Sequence, residues 1–323
     1  MTCMDRAIIP SRLCHGDNVG IITPASPVRP EFIRGAAESL RHRGLIPRIM
    51  PHAFGPAFGS YAATAQHRIS DFLDAWRDPD IKAIICARGG YGSVDILDHV
   101  MRHNLLPEIK TSPKWLIGFS DISALHAMLS HVGIASLHAP MAKDISRSPD
   151  TSPLPDISVL FDILCHDKAP CYTITAHPFN RPGEACGILT GGNLATINAL
   201  ASTPFDPLKT EEANRKILFI EDIGENIYEI NRMLIRLHMS GFLDRVAGII
   251  VGQFTEYRPD RTYADMEEMI HAKLCEWEID CPVLFDFPAG HTDINMPLPL
   301  GAMTQLTVNT DKGTLHFTDF RGA

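Results

Sequence analysis

A serine that ends one apolar run, an acid that ends another and a histidine on a constrained loop are the residues of this chain best suited to do chemistry. In "WLIGFSDISALHAML" (residues 115–129) Ser120 stands between a strand-like run and a helix-like pattern. A hydroxyl there is either a nucleophile, with the unpaired N–H groups of the following helix ready to hold an oxyanion, or simply the cap of that helix. In "ILFIEDIGE" four apolar residues lead to Glu221 and Asp222. A carboxylate at the end of a buried strand calls for a cation or imidazolium beside it, although Asp222 or Glu225 could equally cap the next helix. In "FPAGHTDINMPLPLG" Gly, Pro and Asn surround His291, which places it on a loop rather than on a helical face. A serine hydroxyl needs a base, and the base needs an acid to fix its tautomer; Ser120, His291 and Glu221 supply those three roles.

Other chemistries find less support. Ile122 occupies the second glycine position of a Gly-x-Ser-x-Gly elbow, which disfavours an α/β-hydrolase. "ARGGYGS" lets backbone approach a ligand closely. Asp95, however, stands where a dinucleotide fingerprint needs Gly or Ala, and no mononucleotide loop occurs. His99 and His103 are four apart on an expected helix with no third ligand at suitable spacing, so neither a metal nor a cofactor is expected. The formal charge of −9 argues against nucleic acid as a partner, because phosphate backbones demand clustered Lys and Arg. The eight cysteines (3, 14, 86, 165, 171, 186, 275 and 281) form no Cys-x-x-Cys pair and read as reduced thiols. The first twenty residues hold no apolar stretch suited to a secretion signal and no segment approaches a membrane span, so a cytoplasmic protein without membrane contact is expected.

The elements that must position these residues alternate along the first half. "VGIITPA", "LIPRIM", "IKAIICA", "KWLIG" and "IASLHAP" read as strands. Between them "PEFIRGAAESLRHRG" carries Ile33, Ala36, Ala37 and Leu40 on one face, and "AQHRISDFLDAWRD" carries Ile69, Phe72, Leu73 and Trp76. Ser93 is a candidate N-cap for "SVDILDHVMRH". Such alternation predicts a parallel sheet covered on both faces, with ligands beyond the carboxyl ends of the strands, where "RGGYG" and "GFSD" fall. The expected organisation is a Rossmann-like N-terminal domain over 1–145, a Pro-, Asp- and Ser-rich linker over 146–183, and a smaller mixed α/β C-terminal domain over 184–323. In the last, Ile230, Leu234 and Leu237 form a helical stripe, "YADMEEMIHAKLCEWEI" gives a further helix, and two strands meet at a turn at Asp311, Lys312 and Gly313.

Taken together, "GIITPASPV", "ARGGYGS", "IGFSDISALH", "GILTGGNLATI", "FIEDIGENIYEINRML" and "FPAGHTDINMPLPLGA" resemble the LD-carboxypeptidases, serine peptidases that trim murein peptides. The likeness runs from about Asn18 to the end; the first eighteen or so residues look like an extension with no assigned role. The resemblance implies a triad of Ser120, Glu221 and His291 divided between two domains, an oxyanion hole from the backbone N–H groups of Gly90 and Asp121, and a homodimer. It implies hydrolysis of the bond between the L-centre of meso-diaminopimelate and terminal D-alanine in murein tetrapeptide, during cytoplasmic cell-wall recycling. Arg88 and Arg232 are the candidates to bind the D-alanine carboxylate. A rival is the branch resembling immunity peptidases that cleave peptide-nucleotide antibiotics, which needs an aromatic face for the purine; Tyr172 or Phe179 could provide it. A second rival is a non-catalytic muropeptide-binding protein.

Overall fold

A computed structural model describes residues 7–148 and 152–320 of the 323-residue chain. The chain divides into two compact units. One runs to Lys168 and takes in Met296–Pro299; the other comprises Ala169–Asn295 and the described chain from Leu300 to Phe320. The first unit contains β1 (Asn18–Ile22), α1 (Pro30–His42), β2 (Ile46–Ile49), α2 (Ala65–Arg77), β3 (Ile81–Cys86), α3 (Val94–Arg102), α4 (Leu106–Thr111), β4 (Trp115–Gly118), α5 (Ser123–His131), β5 (Ser136–His138), α6 (Ala142–Ile145) and α7 (Pro155–His166). The second begins with β6 (Cys171–Thr175), β7 (Gly183–Asn193), α8 (Leu194–Asn198), β8 (Lys216–Ile223), α9 (Ile227–Met239), β9 (Gly248–Thr255), α10 (Met266–Glu276) and β10 (Val283–Leu284). The last strands are β11 (Leu298–Leu300), β12 (Met303–Val308) and β13 (Lys312–Phe317).

In the first unit the strands lie in the order β11-β5-β4-β3-β1-β2, and β1 to β5 pair in parallel. Helices cover such a sheet on both faces, which is why β4 is buried throughout and β3 is buried at every residue but Lys82. The order reverses at β1 and β3, so a crevice is expected beyond the carboxyl ends of those strands. There the chain leaves β3 into Ala87–Gly92 and β4 into Phe119–Asp121. Pro30 starts α1 with φ already set, Gly44 ends it at φ +76°, and Ile33, Ala36, Ala37 and Leu40 are buried as their spacing predicts. On α2 the inward face differs by one residue: Arg68 is 2% exposed, while Ile69 is only partly buried.

The stretch expected as a linker contains two regular elements. α7 buries Ile157, Leu160, Phe161, Ile163 and Leu164 in the first unit, and β6 joins the second unit's sheet against β13. The apolar period of "ISVLFDIL" lies between Pro- and Asp-rich ends, and the composition of the whole stretch conceals it. The N-terminal extension also has a place. Ile8 bridges to Ile134, and Leu13, 2% exposed, donates its N–H to Leu164 O at 2.6 Å, satisfying a carbonyl in the last turn of α7.

The second unit's sheet runs β10-β9-β8-β7-β12-β13-β6, with β7 to β10 parallel and the remainder antiparallel. Ile230, Leu234 and Leu237 of α9 pack with Met269, Ile270 and Leu274 of α10 against Leu218, Ile220, Ile249 and Val251. α9 is started by a capping box of Asn226 and Glu229. The β12–β13 turn lies earlier than expected. Asn309 Oδ1 accepts from the N–H groups of Asp311 and Lys312, so Lys312 and Gly313 are free to enter β13. The seven described cysteines are free thiols, and no helix among the described residues is long and apolar enough to cross a membrane.

His126 ties the end of β4 to α5 and β5. Its Nε2 lies 2.8 Å from Gly118 O and its Nδ1 2.8 Å from Ser136 Oγ, so the neutral ring donates to the carbonyl and accepts from the hydroxyl. Burial pushes its pKa down to about 4. The unfolded chain binds this proton more readily, so the contribution to stability is intact above pH 6.5 and declines as pH falls toward 4. The loss amounts to about 3 kcal/mol, at roughly 1.4 kcal/mol per pH unit. Urea unfolding of the wild type and His126→Gln at pH 7.5 and pH 4.5 should show a smaller acid loss in the variant; equal losses would contradict this account.

Candidate active site

Ser120 does not cap α5. It adopts φ +66° at the head of a single 3₁₀ turn, Ser120–Ile122, and the residue at the N-cap position of α5 is Ile122. A left-handed serine costs about 1–2 kcal/mol, and such strain persists only where the surroundings over-determine it. Here they do. The first residue after the Arg in "RGGYG" is Gly89, where a Cβ would fall 2.7 Å from Ser120 Cβ. Gly118 is similarly close to Ile122, with 3.0 Å available to a Cβ. Below the turn, Asp121 Oδ2 accepts from Ser93 N–H at 2.8 Å, and Ser93 Oγ donates to Asp121 O at 2.6 Å. Ser93 thus occupies the N-cap position of α3, but its hydroxyl is spent on Asp121 rather than on the helix. Burial raises the Asp121 pKa, partly offset by the Ser93 hydrogen bonds. Gly90, at φ +116°, leaves a Cβ only 2.2 Å from Ser26 Oγ, so the loop after β3 packs directly on the loop after β1.

In the second unit, strand alternation sends Glu221 and Asp222 to opposite faces of β8. The register against β9 shifts between Ile220 and Asp222, where β9 carries an extra residue; bulges of this kind re-aim side chains at functional sites. Glu221 is 0% exposed, and its Oε2 lies 2.8 Å from His291 Nδ1. The pairing engages Nδ1 and fixes the orientation of the imidazole. The histidine loop is fastened to β9 through Gln253 N–H to Ala289 O at 2.9 Å, and Gly290 N–H donates to Asn295 Oδ1 at 3.0 Å. Asp222 has a different task. It accepts from Asn193 Nδ2 and from Ala195 N–H, capping the start of α8 rather than the helix that follows it. Burial, reinforced by the neighbouring Glu221, raises its pKa to about 7.

The description of the LD-carboxypeptidase N-terminal domain matches residues 19–139, and that of the C-terminal domain matches residues 186–306. The chain belongs to the LD-carboxypeptidase family. A Bacillus subtilis protein named a probable murein peptide carboxypeptidase is 33% identical over 94% of this chain and 92% of its own length. The murein tetrapeptide carboxypeptidase of Pseudomonas aeruginosa is 29% identical over 90% of this chain and 93% of its own. The crystal structure of muramoyltetrapeptide carboxypeptidase from Oxalobacter formigenes covers 94% of this chain and 99% of its own, with TM-score 0.79 and 26% identity. A microcin C7 self-immunity protein of Escherichia coli is 25% identical over 99% of this chain and 98% of its own length.

For this LD-carboxypeptidase, the structure brings Glu221 and His291 together in one unit and places Ser120, Gly90 and Asp121 on neighbouring loops of the other. The two arginines are less committed to a site. Arg88 is exposed and donates to Pro27 O at 3.1 Å; Arg232 is exposed on α9 and stacks 5.1 Å over the Tyr228 ring. Tyr172 and Phe179 do not offer the open aromatic face considered for a purine. Tyr172 is 5% exposed and meets Phe287 and Phe317 edge-on, and Phe179 stacks on His271 at 4.5 Å. Sequence reading missed Gly290, Asn295 and Ser93. The "PAGH" and "HTDIN" context could have pointed to the first two; nothing local to Ser93 names Asp121 as its partner.

Gly290 sits at φ +134°, and a Cβ there would lie 3.1 Å from Glu221 Oε2 and 3.0 Å from Gln253 O. Gly290→Ala should therefore displace the imidazole as well as strain the loop, by about 1–3 kcal/mol. The expected outcome is a lower melting temperature and at least tenfold slower labelling of Ser120 by a fluorophosphonate. Labelling at the wild-type rate would mean that the glycine does not govern the histidine's position.

Proposed function

We propose that this chain is a serine-type LD-carboxypeptidase that hydrolyses the L,D-amide bond and releases terminal D-alanine from murein tetrapeptide. The observation that carries the reading is the Glu221–His291 pair, a buried carboxylate 2.8 Å from Nδ1 of a loop histidine, in a family whose chemistry calls for that pair. The left-handed turn at Ser120 supports it, since such a turn lifts the hydroxyl clear of the strand that precedes it. His291 Nε2 takes the Ser120 proton as the hydroxyl oxygen attacks the carbonyl carbon. The N–H groups of Gly90 and Asp121 hold the oxyanion, and the imidazolium, steadied by Glu221, then gives its proton to the departing D-alanine amine. Water, deprotonated by the same imidazole, releases the peptide from Ser120. Arg88 or Arg232 supplies the cation for the D-alanine carboxylate. The protein works as a homodimer in the cytoplasm, on peptides returned from the cell wall and not on nucleic acid.

D-Alanine release from murein tetrapeptide, followed by mass spectrometry, tests the reading. Ser120→Ala should abolish turnover, and Glu221→Gln should lower kcat on the order of 10³–10⁴-fold with little change in KM, because an amide neither fixes the tautomer nor stabilises the imidazolium. Equal turnover by wild type and Ser120→Ala would overturn the assignment. Release from an aminoacyl-nucleotide amide but not from tetrapeptide would instead assign the chain to the immunity branch.

A further inference from the structure

The loop after β3 is poorly suited to hold itself still. Gly89, Gly90 and Gly92 surround Tyr91, two of them at positive φ, and glycine gives up more conformational freedom on ordering than any other residue. Tyr91 itself is 56% exposed, so burial does not fix it. The Tyr61 ring lies beside it, with ring centroids 5.2 Å apart and planes tilted by 40°. Burial, together with the nearby Tyr91 side chain, raises the Tyr61 pKa, in keeping with this ring contact.

Tyr61 is in turn supported from within the helical layer. The Arg68 guanidinium lies 4.6 Å from the Tyr61 ring centroid and is almost wholly buried. Its charge is met by the Asp95 carboxylate and by Ala63 O, 2.5 Å from Nη1. This explains the turned face of α2, where Arg68 replaces Ile69 on the inside. Gly92 completes the arrangement: a Cβ there would lie 2.9 Å from Tyr61 Cδ1 and 3.1 Å from Arg68 Nη2. The segment bearing Tyr61 is pinned by Ala62 N–H to Ala25 O at 2.8 Å, and the Ala25–Ser26 loop is itself held to Gly89 by Ser26 N–H at 3.2 Å.

We propose that Tyr61, backed by Arg68, is a positioning residue that acts through Tyr91 to hold the Gly90 N–H in place for the oxyanion. The proposal rests on the assignment of Gly90 as an oxyanion donor. A donor that wanders loses part of its worth, because the stabilisation depends on its being aimed before charge develops. Neither ring needs to touch substrate for this, so the effect should fall on kcat rather than KM.

The test compares wild type, Tyr61→Leu, Tyr91→Leu and the double variant, which remove the ring contact, in D-alanine release from tetrapeptide and in fluorophosphonate labelling of Ser120, with melting temperatures alongside. Each single variant should lower kcat and the labelling rate roughly tenfold, a fraction of the 10²–10³ that loss of a whole donor costs, with KM within about twofold. The double variant should be no slower than either single one, since both changes remove one contact. Unchanged kcat, multiplicative losses or a change confined to KM would overturn the positioning role. A wild type that is labelled by fluorophosphonate but inert toward tetrapeptide would defeat the proposed substrate instead, and the labelling rates of the variants would still decide the role of Tyr61.

Discussion

A carboxylate with no exposure to water and a histidine pressed against it set the terms for the second unit. An ionised carboxylate buried at the position of Glu221 is costly to desolvate unless a partner meets it. Its Oε1 has no hydrogen-bond partner among the described residues, so the 2.8 Å contact from Oε2 to His291 Nδ1 carries the compensation. That dependence runs in both directions. The imidazole is oriented by the acid, and the acid is kept useful by the imidazole. The surrounding features accompany it: the β9 bulge beside Glu221 and the glycine at 290 that lets the loop come close. The contacts of Gln253 and Asn295 then stop that loop from drifting.

The first unit solves a different problem, that of holding a serine in a conformation it disfavours. The strain at Ser120 is a few kcal/mol at most, and no single contact need repay it. Close approach does so collectively: glycines at 89 and 118 admit the turn, and the Ser93–Asp121 bonds lock the residue after the serine to the start of α3. The loops after β1, β3 and β4 therefore form one hydrogen-bonded assembly beyond the sheet, rather than three independent connections. A parallel sheet suits this arrangement because consecutive strands deliver their loops to the same end.

Asp121 and Asp222 show how similar signals in sequence diverge in space. Each follows a candidate catalytic residue, each is buried, and each has its pKa raised mainly by desolvation. Both serve to cap or clamp helix starts, one through Ser93 and the other through Ala195. Adjacent positions on a strand point to opposite faces, which allows one acid of a pair to hold a histidine while its neighbour holds a helix.

Much of this was legible in the residues. Apolar runs and helical stripes predict the alternating order of the first half, because period and burial are tied by geometry; six short segments in fixed order identify the family and its candidate residues. The sequence alone could not separate nucleophile from helix cap at Ser120, since both readings want a small hydroxyl residue after a strand; the φ of +66° excludes the cap. Composition misread 146–183, where polar ends masked the buried face of α7. It also gave no sign that Arg68 would turn inward beneath Tyr61 or that Ser93 would bind Asp121. Local pattern determines which elements form and which faces they bury. Only tertiary structure decides which distant side chains meet, because those contacts depend on where strands end and loops return, and no window of sequence contains both partners.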